Sequence, residues 1–163
     1  MTEAEVRGVV KSLVDALIYL RNERICHRDI KASNVLLTED FRIKLSDFGL
    51  ATRLPTPEST TQTFCGSPNY IAPEIVARVP YGFSVDVWSL GCLMLTCLSG
   101  IPAFEAPSVP DVFKKISRGE YFVPDNISFE AKDLIAGLLQ SDPLHRIPLH
   151  RMLSHPFFKP SLP

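Results

Sequence analysis

From Val87 to Phe104 the chain runs eighteen residues without a charged side chain, and this run constrains the fold more than any other feature. Length alone would let it cross a bilayer. Ser89, Gly91, Thr96 and Ser99 dilute its apolar character, however, and Gly100-Ile101-Pro102 ends a helix there. It reads as a buried core helix over 84–99. Other helices surround it in sequence. Thr2 with Glu5 forms a capping-box pattern. Val6, Val9, Val10, Leu13, Val14, Leu17 and Ile18 then recur at helical spacing to about Asn22. Further helical patterns fall at 109–118, 128–140 and 148–154, separated by connections bearing Pro and Gly.

Between these helices the period changes. Asn34–Leu37 and Phe41–Leu45 are short runs around Thr38-Glu39-Asp40, the pattern of a small hairpin. In the second run Phe41, Ile43 and Leu45 share one face, with Arg42 and Lys44 opposite. Gly49 to Pro68 is rich in Thr, Ser and Pro and has no periodicity, which predicts a long functional or mobile loop. The expected architecture is mostly α with a small β-hairpin. At 163 residues, 45% hydrophobic and 21% charged, the chain is sized for one globular core or part of one.

Charge and cysteine usage narrow the function classes. Seventeen basic against eighteen acidic residues leave a net charge of -1, so no nucleic-acid or membrane partner is expected through bulk charge. Cys26, Cys65, Cys92 and Cys97 form no CxxC pair, which predicts reduced, structural thiols in a cytosolic protein. His145, His150 and His155 are spaced by five and fall on different helix faces, so they predict no metal site.

The informative segment is His27-Arg28-Asp29-Ile30-Lys31-Ala32-Ser33-Asn34. Thirteen residues after Asn34 comes Asp47-Phe48-Gly49, and later Ala72-Pro73-Glu74. The first resembles the H-R-D-x-x-x-x-N catalytic loop of protein kinases, and the other two follow in that family's order. Coincidence of all three is on the order of 10⁻⁷. Phosphoryl transfer needs a positioned hydroxyl, neutralised phosphate charge and a metal held by hard oxygen ligands. Asp29 is placed to accept or orient the proton of a substrate hydroxyl. Lys31, two residues on, points to the same side of an extended loop and stabilises the transferring phosphate. Asn34 offers an amide oxygen to Mg2+, and Asp47 a carboxylate. A Lys at that position resembles serine/threonine kinases in particular.

Cys65-Gly66-Ser67-Pro68-Asn69-Tyr70-Ile71-Ala72-Pro73-Glu74 is similar to the end of the activation segment in polo-like kinases, and Asp86-Val87-Trp88-Ser89-Leu90-Gly91-Cys92 to the kinase helix after it. Ala131-Lys132-Asp133-Leu134, Asp142-Pro143, Arg146 and His155-Pro156-Phe157 extend the likeness to about residues 2–158. The resemblance implies a catalytic loop at 27–34, an activation segment at 47–74 and a helical remainder at 84–158. It implies ATP and Mg2+ as cofactors and a protein substrate bearing Ser or Thr. Arg28 would sense a phosphorylated residue. Thr60, Thr61 and Thr63 are candidates, and Thr63 best matches the family's regulatory threonine. Ser67 stands where the family usually has Thr, and its hydroxyl would contact Asp29 and Lys31 in substrate binding. Asp86 would hold the catalytic-loop backbone, and Glu74 and Arg146 would form a buried ion pair.

Two family features are not found. The chain has no G-x-G pair to cover phosphates, and the single Lys before the catalytic loop, Lys11, lies on the first helix. The expectation is therefore a protein-kinase-like fold of the α+β family, C-terminal lobe only, over 1–163. The N-lobe or other upstream sequence would belong to a full-length protein. With half of the nucleotide site missing, weak ATP affinity and negligible turnover are expected. The rival reading is a non-catalytic docking module or pseudokinase-like fragment. The expected location is the cytoplasm; centrosome or nucleus follow from the resemblance alone.

Overall fold

The charge-free run forms the axis of the molecule. In a computed structural model, which describes residues 1–159, Ser84–Ser99 is a helix whose residues Val85 to Leu95 are all buried. It stops at Gly100, whose φ of 81° is the left-handed conformation that glycine adopts without steric cost. The helices Glu3–Asn22 and Phe129–Leu138 pack directly against it.

In chain order the α-helices and strands are α1 (Glu3–Asn22), β1 (Ile25–Cys26), β2 (Val35–Leu37), β3 (Ile43–Leu45), β4 (Thr52–Arg53), α2 (Pro73–Val76), α3 (the axial Ser84–Ser99), α4 (Val109–Arg118), α5 (Phe129–Leu138) and α6 (Leu149–Met152). α1 opens with the capping box: Thr2 Oγ1 accepts from the Glu5 amide at 3.3 Å, and Glu5 Oε2 accepts from the Thr2 amide at 2.7 Å. Its buried stripe of Val6, Val10, Leu13, Val14, Leu17 and Leu20 lies against α3. α5 packs on α3 as well, and there Gly91 allows close approach to Leu138 and Leu139. Trp88 stacks on Phe104 with ring centroids 5.5 Å apart, which ties the axial helix to the turn beyond it.

Two small antiparallel sheets lie beside this helical body. β2 pairs with β3 in the register Val35↔Leu45, Leu36↔Lys44 and Leu37↔Ile43. β1 pairs with β4 through Ile25↔Arg53 and Cys26↔Thr52. The second sheet escapes sequence reading because strands of two residues are too short to show alternation. Mostly α with a small β-hairpin is thus correct as far as it goes, with a second pair of strands added.

Some boundaries differ from expectation. The helix read as 128–140 spans Phe129–Leu138, because Ser128 is its N-cap and accepts from the Ala131 amide at 3.1 Å. The pattern at 148–154 holds one helical turn, Leu149–Met152. Phe41 does not share the half-buried face of Ile43 and Leu45. It sits in the hairpin turn at φ 59°, 82% exposed. The long loop carries β4 and a single bridge between Thr61 and Tyr81. The last four residues of the expected 1–163 domain, 160–163, lie outside the described residues. Among those described, no helix is long and apolar enough to cross a membrane.

Candidate active site

The 27–34 loop is anchored from below by the first turn of α3. Asp86, fully buried there, accepts the His27 amide at 2.8 Å and the Arg28 amide at 2.9 Å. Burial pushes the Asp86 carboxyl above its usual range, while the two amide hydrogen bonds pull the other way. Arg28 adopts φ 67°, a left-handed conformation unfavourable to a side chain of its size, and its amide is one of the two that Asp86 holds.

His27 works from the side. Its ring is fully buried, with Nε2 3.1 Å from the Ser46 carbonyl oxygen and Nδ1 accepting from the Asp29 amide at 3.3 Å. With Nδ1 an acceptor, Nε2 carries the proton and donates to Ser46. The same ring meets Phe48 edge-on at 4.9 Å. One imidazole therefore links Asp29 to the Asp47-Phe48-Gly49 turn.

Asp29 sits at the centre, 6% exposed. Its Oδ1 accepts from Ser67 Oγ at 2.8 Å. Its Oδ2 lies 2.7 Å from Lys31 Nζ and accepts from Asn34 Nδ2 at 3.1 Å. Lys31 Nζ also donates to Ser67 Oγ at 2.9 Å, and Asn34 Nδ2 donates to the Asp29 carbonyl at 2.8 Å. Burial alone would raise the Asp29 carboxyl, but hydrogen bonds from Lys31, Ser67 and Asn34, with the Lys31 charge, outweigh it. The net shift is below the usual carboxylate range. Asp29 is an ionised, oriented carboxylate at neutral pH.

The hairpin explains the thirteen-residue spacing. Beyond the pair Val35↔Leu45, the Asn34 carbonyl accepts from both the Ser46 amide at 2.9 Å and Ser46 Oγ at 3.0 Å. Asn34 and Asp47 therefore lie at the same end of the hairpin. Asn34 uses its Nδ2 for Asp29 and leaves Oδ1 without a hydrogen bond among the described residues. Asp47, exposed at φ 62°, accepts from the Gly49 amide at 3.1 Å through Oδ1 and leaves Oδ2 open. Two hard oxygen atoms facing no protein donor suit a divalent cation completed by phosphate and water. No cluster of three or more His, Cys, Asp or Glu ligands exists among the described residues.

The other candidates lie around this centre. Arg28 Nε donates to the Leu50 carbonyl at 2.6 Å, and its Nη1 to the Tyr81 hydroxyl at 3.3 Å. Thr63 is exposed, with its carbonyl accepting from Tyr81 at 2.6 Å. Thr60 is also exposed, at a cavity of about 360 Å³ that Arg21 and Phe83 help to line. Glu74 and Arg146 form a buried bidentate pair at 2.7 Å and 2.7 Å, and Arg146 Nη1 also donates to the carbonyl of Ser84 at the start of α3. Sequence reasoning missed the linking role of His27 and missed Tyr81 altogether. Nothing in a lone Tyr between two loops signals its contacts.

The chain matches the family described as protein kinase domain over residues 1–158. It is 46% identical over 158 residues to the serine/threonine-protein kinase PLK4 of Drosophila persimilis, covering 97% of this chain and 20% of that protein. Its identity to the PLK4 kinase of Drosophila melanogaster is 46% over 156 residues, and to that of Drosophila virilis 44% over 156, each covering 96% of this chain and 20% of the relative. The chain thus spans about a fifth of the length of the curated relatives it matches. The match runs unbroken from α1 through the last helical turn and takes in every segment that converges on Asp29, so this chain belongs to the protein kinase domain family.

Proposed function

We propose that the chain is the C-terminal lobe of a serine/threonine protein kinase, which transfers the ATP γ-phosphate to Ser or Thr hydroxyls of proteins. The observation that carries the reading is the Asp29 carboxylate, ionised and clamped by Lys31, Ser67 and Asn34. A carboxylate so held orients an incoming hydroxyl and accepts its hydrogen bond without reorganising. Lys31, already at the site, places positive charge where the transferring phosphate passes. Asn34 Oδ1 and Asp47 Oδ2 would hold Mg2+, which when bound neutralises charge on the phosphates. Thr63 is the regulatory phosphosite and Arg28 its partner.

The single-lobe reading has its own support. Leu36, Leu37 and Phe41 on the hairpin are 51%, 60% and 82% exposed, which is costly for an apolar surface. Beside them runs an apolar groove of about 750 Å³ lined by Val9, Val35, Ile43 and Leu93. The relatives are about five times as long as the stretch this chain matches, and a further lobe in a chain of that length would cover this face. Four free cysteines, two of them buried, suit the cytoplasm.

Calorimetric titration of the chain with ATP and Mg2+ tests the reading, with Asp47→Ala as control and a phosphate-transfer assay on protein substrate following. Binding weaker than about 100 μM, a free energy of about -5.5 kcal/mol, that Asp47→Ala abolishes supports a half-site in need of its second lobe. Heat identical in the two proteins would refute the Asp47 assignment and favour a docking module.

A further inference from the structure

Tyr81 lies in the loop between α2 and α3, 3% exposed, and it touches the 47–74 segment at alternate residues. Its amide donates to the Thr61 carbonyl at 2.9 Å, and its carbonyl accepts from the Thr61 amide at 2.9 Å. The hydroxyl donates to the Thr63 carbonyl at 2.6 Å and lies 3.7 Å from Cys65 Sγ. Two residues further, Ser67 is fastened to Asp29. The stretch 61–67 is therefore tied down at 61, 63, 65 and 67, as one edge of an extended strand would be.

The same hydroxyl accepts from Arg28 Nη1 at 3.3 Å. Arg28 spends one more donor on the Leu50 carbonyl and keeps its remaining N–H groups for another acceptor. Burial, ahead of every other influence, pushes the Tyr81 phenol up to about 12, so it stays a neutral donor across the physiological range.

We propose that Tyr81 is a positioning residue that clasps the Thr63 segment onto the catalytic loop before any phosphate is present. The proposal rests on reading 47–74 as an activation segment with Thr63 as its phosphosite. The clasp holds Thr63 by its carbonyl and leaves its exposed side chain out of that bond, with Thr61 Oγ1, 3.4 Å from Thr63 Oγ1, as its one side-chain hydrogen-bond partner among the described residues. Phosphate on Thr63 then adds a second tie, through the Arg28 N–H groups that Leu50 and Tyr81 leave unused, rather than creating order from a mobile loop.

Amide hydrogen exchange on the full chain tests this. Tyr81→Phe keeps the buried ring and removes only the hydroxyl. Exchange at the amides of positions 61 and 81 should rise about fivefold to tenfold, the effect of one lost hydrogen bond, while the 84–99 amides stay unchanged. Phosphothreonine installed at position 63 of the Tyr81→Phe chain should restore the protection, and Arg28→Ala should cancel that rescue. A residue that merely packs would show no rescue by phosphate. Unchanged exchange at 61 and 81, a rise spread through 84–99, or protection that phosphate does not restore would each overturn the proposal. None of these measurements needs phosphoryl transfer, so an inactive chain would leave the result standing, and an active one would not substitute for it.

Discussion

Replacing Glu74 with Gln keeps the shape of the side chain and removes its charge, which isolates what the buried ion pair contributes. Arg146 has 1% of its side chain exposed and Glu74 5%, so water cannot compensate either partner. The guanidinium also donates to the carbonyls of Ser84 at 2.9 Å and Gln140 at 2.9 Å, and lies 5.1 Å over the Trp88 ring. In Glu74→Gln one oxygen still accepts, but the new amide N–H faces a guanidinium N–H, and a full positive charge remains buried without a counter-ion. Breaking a buried pair in this way costs about 3–5 kcal/mol. With a urea slope of about 2 kcal/mol/M, the unfolding midpoint should fall by roughly 1.5–2.5 M. Urea denaturation followed by far-UV circular dichroism reads this directly. The double variant Glu74→Met with Arg146→Met, which removes both charges at similar volume, should recover most of the loss. A fall below about 1 kcal/mol for Glu74→Gln would refute the reasoning, because that is what a solvated surface pair contributes.

Two further predictions follow from the packing and the charge at the site. A Cβ at position 91 would lie 2.8 Å from Leu138 Cβ and 2.8 Å from Leu139 Cδ2, so Gly91→Ala should destabilise by about 1–2 kcal/mol in urea denaturation despite better helix propensity; a stabilised variant would show that α3 and α5 can move apart at no cost. The Asp29 carboxyl is held below its unfolded value of about 3.9, so its contribution to stability is present above about pH 4 and is lost as pH falls through the lowered folded value. The acid limb of the stability–pH curve should therefore be shallower in Asp29→Asn than in the parent, and superimposable limbs would contradict the hydrogen-bond network drawn around Asp29.

What could be read in the sequence depended on how local its signal was. The core helix at 84–99 was legible because eighteen uncharged residues leave little choice, and the caps of α1 were legible because Thr2 and Glu5 make their bonds within one turn. The hairpin could be read from two short runs and a polar turn, yet Phe41 belongs to the turn, since a positive φ removes it from the alternation that Ile43 and Leu45 keep. β1 and β4, of two residues each, pair across the 25 residues between Cys26 and Thr52, and no local pattern encodes such a pairing. At the site, motif spacing brought Asp29, Lys31, Asn34 and Asp47 forward as a group. The contacts of His27 and Tyr81 depend on chain segments that meet only after folding: Ser46 and Phe48 for the first, Thr63 and Arg28 for the second.

The strain at the site follows from the same division of labour. Five non-glycine residues among those described adopt positive φ, and Arg28 at 67° and Asp47 at 62° are the two that flank Asp29 and Asn34 in the motif segments. Glycine would relieve either position, at the loss of a guanidinium in one case and a carboxylate in the other. Such conformations cost on the order of 1–2 kcal/mol each and persist only where surrounding structure over-determines them. For Arg28 the compensation is identifiable: its amide is bound by Asp86, whose position is set by the axial helix. For Asp47 it is the hairpin base on one side, where Ser46 is bound to Asn34, and the bond from the Gly49 amide on the other. The axial helix therefore does more than fill the core. By fixing Asp86 in a rigid, buried first turn, it lets the 27–34 loop hold a side chain at a backbone conformation that an unsupported loop would abandon, and that conformation is what turns Asp29 toward Lys31, Asn34 and Ser67.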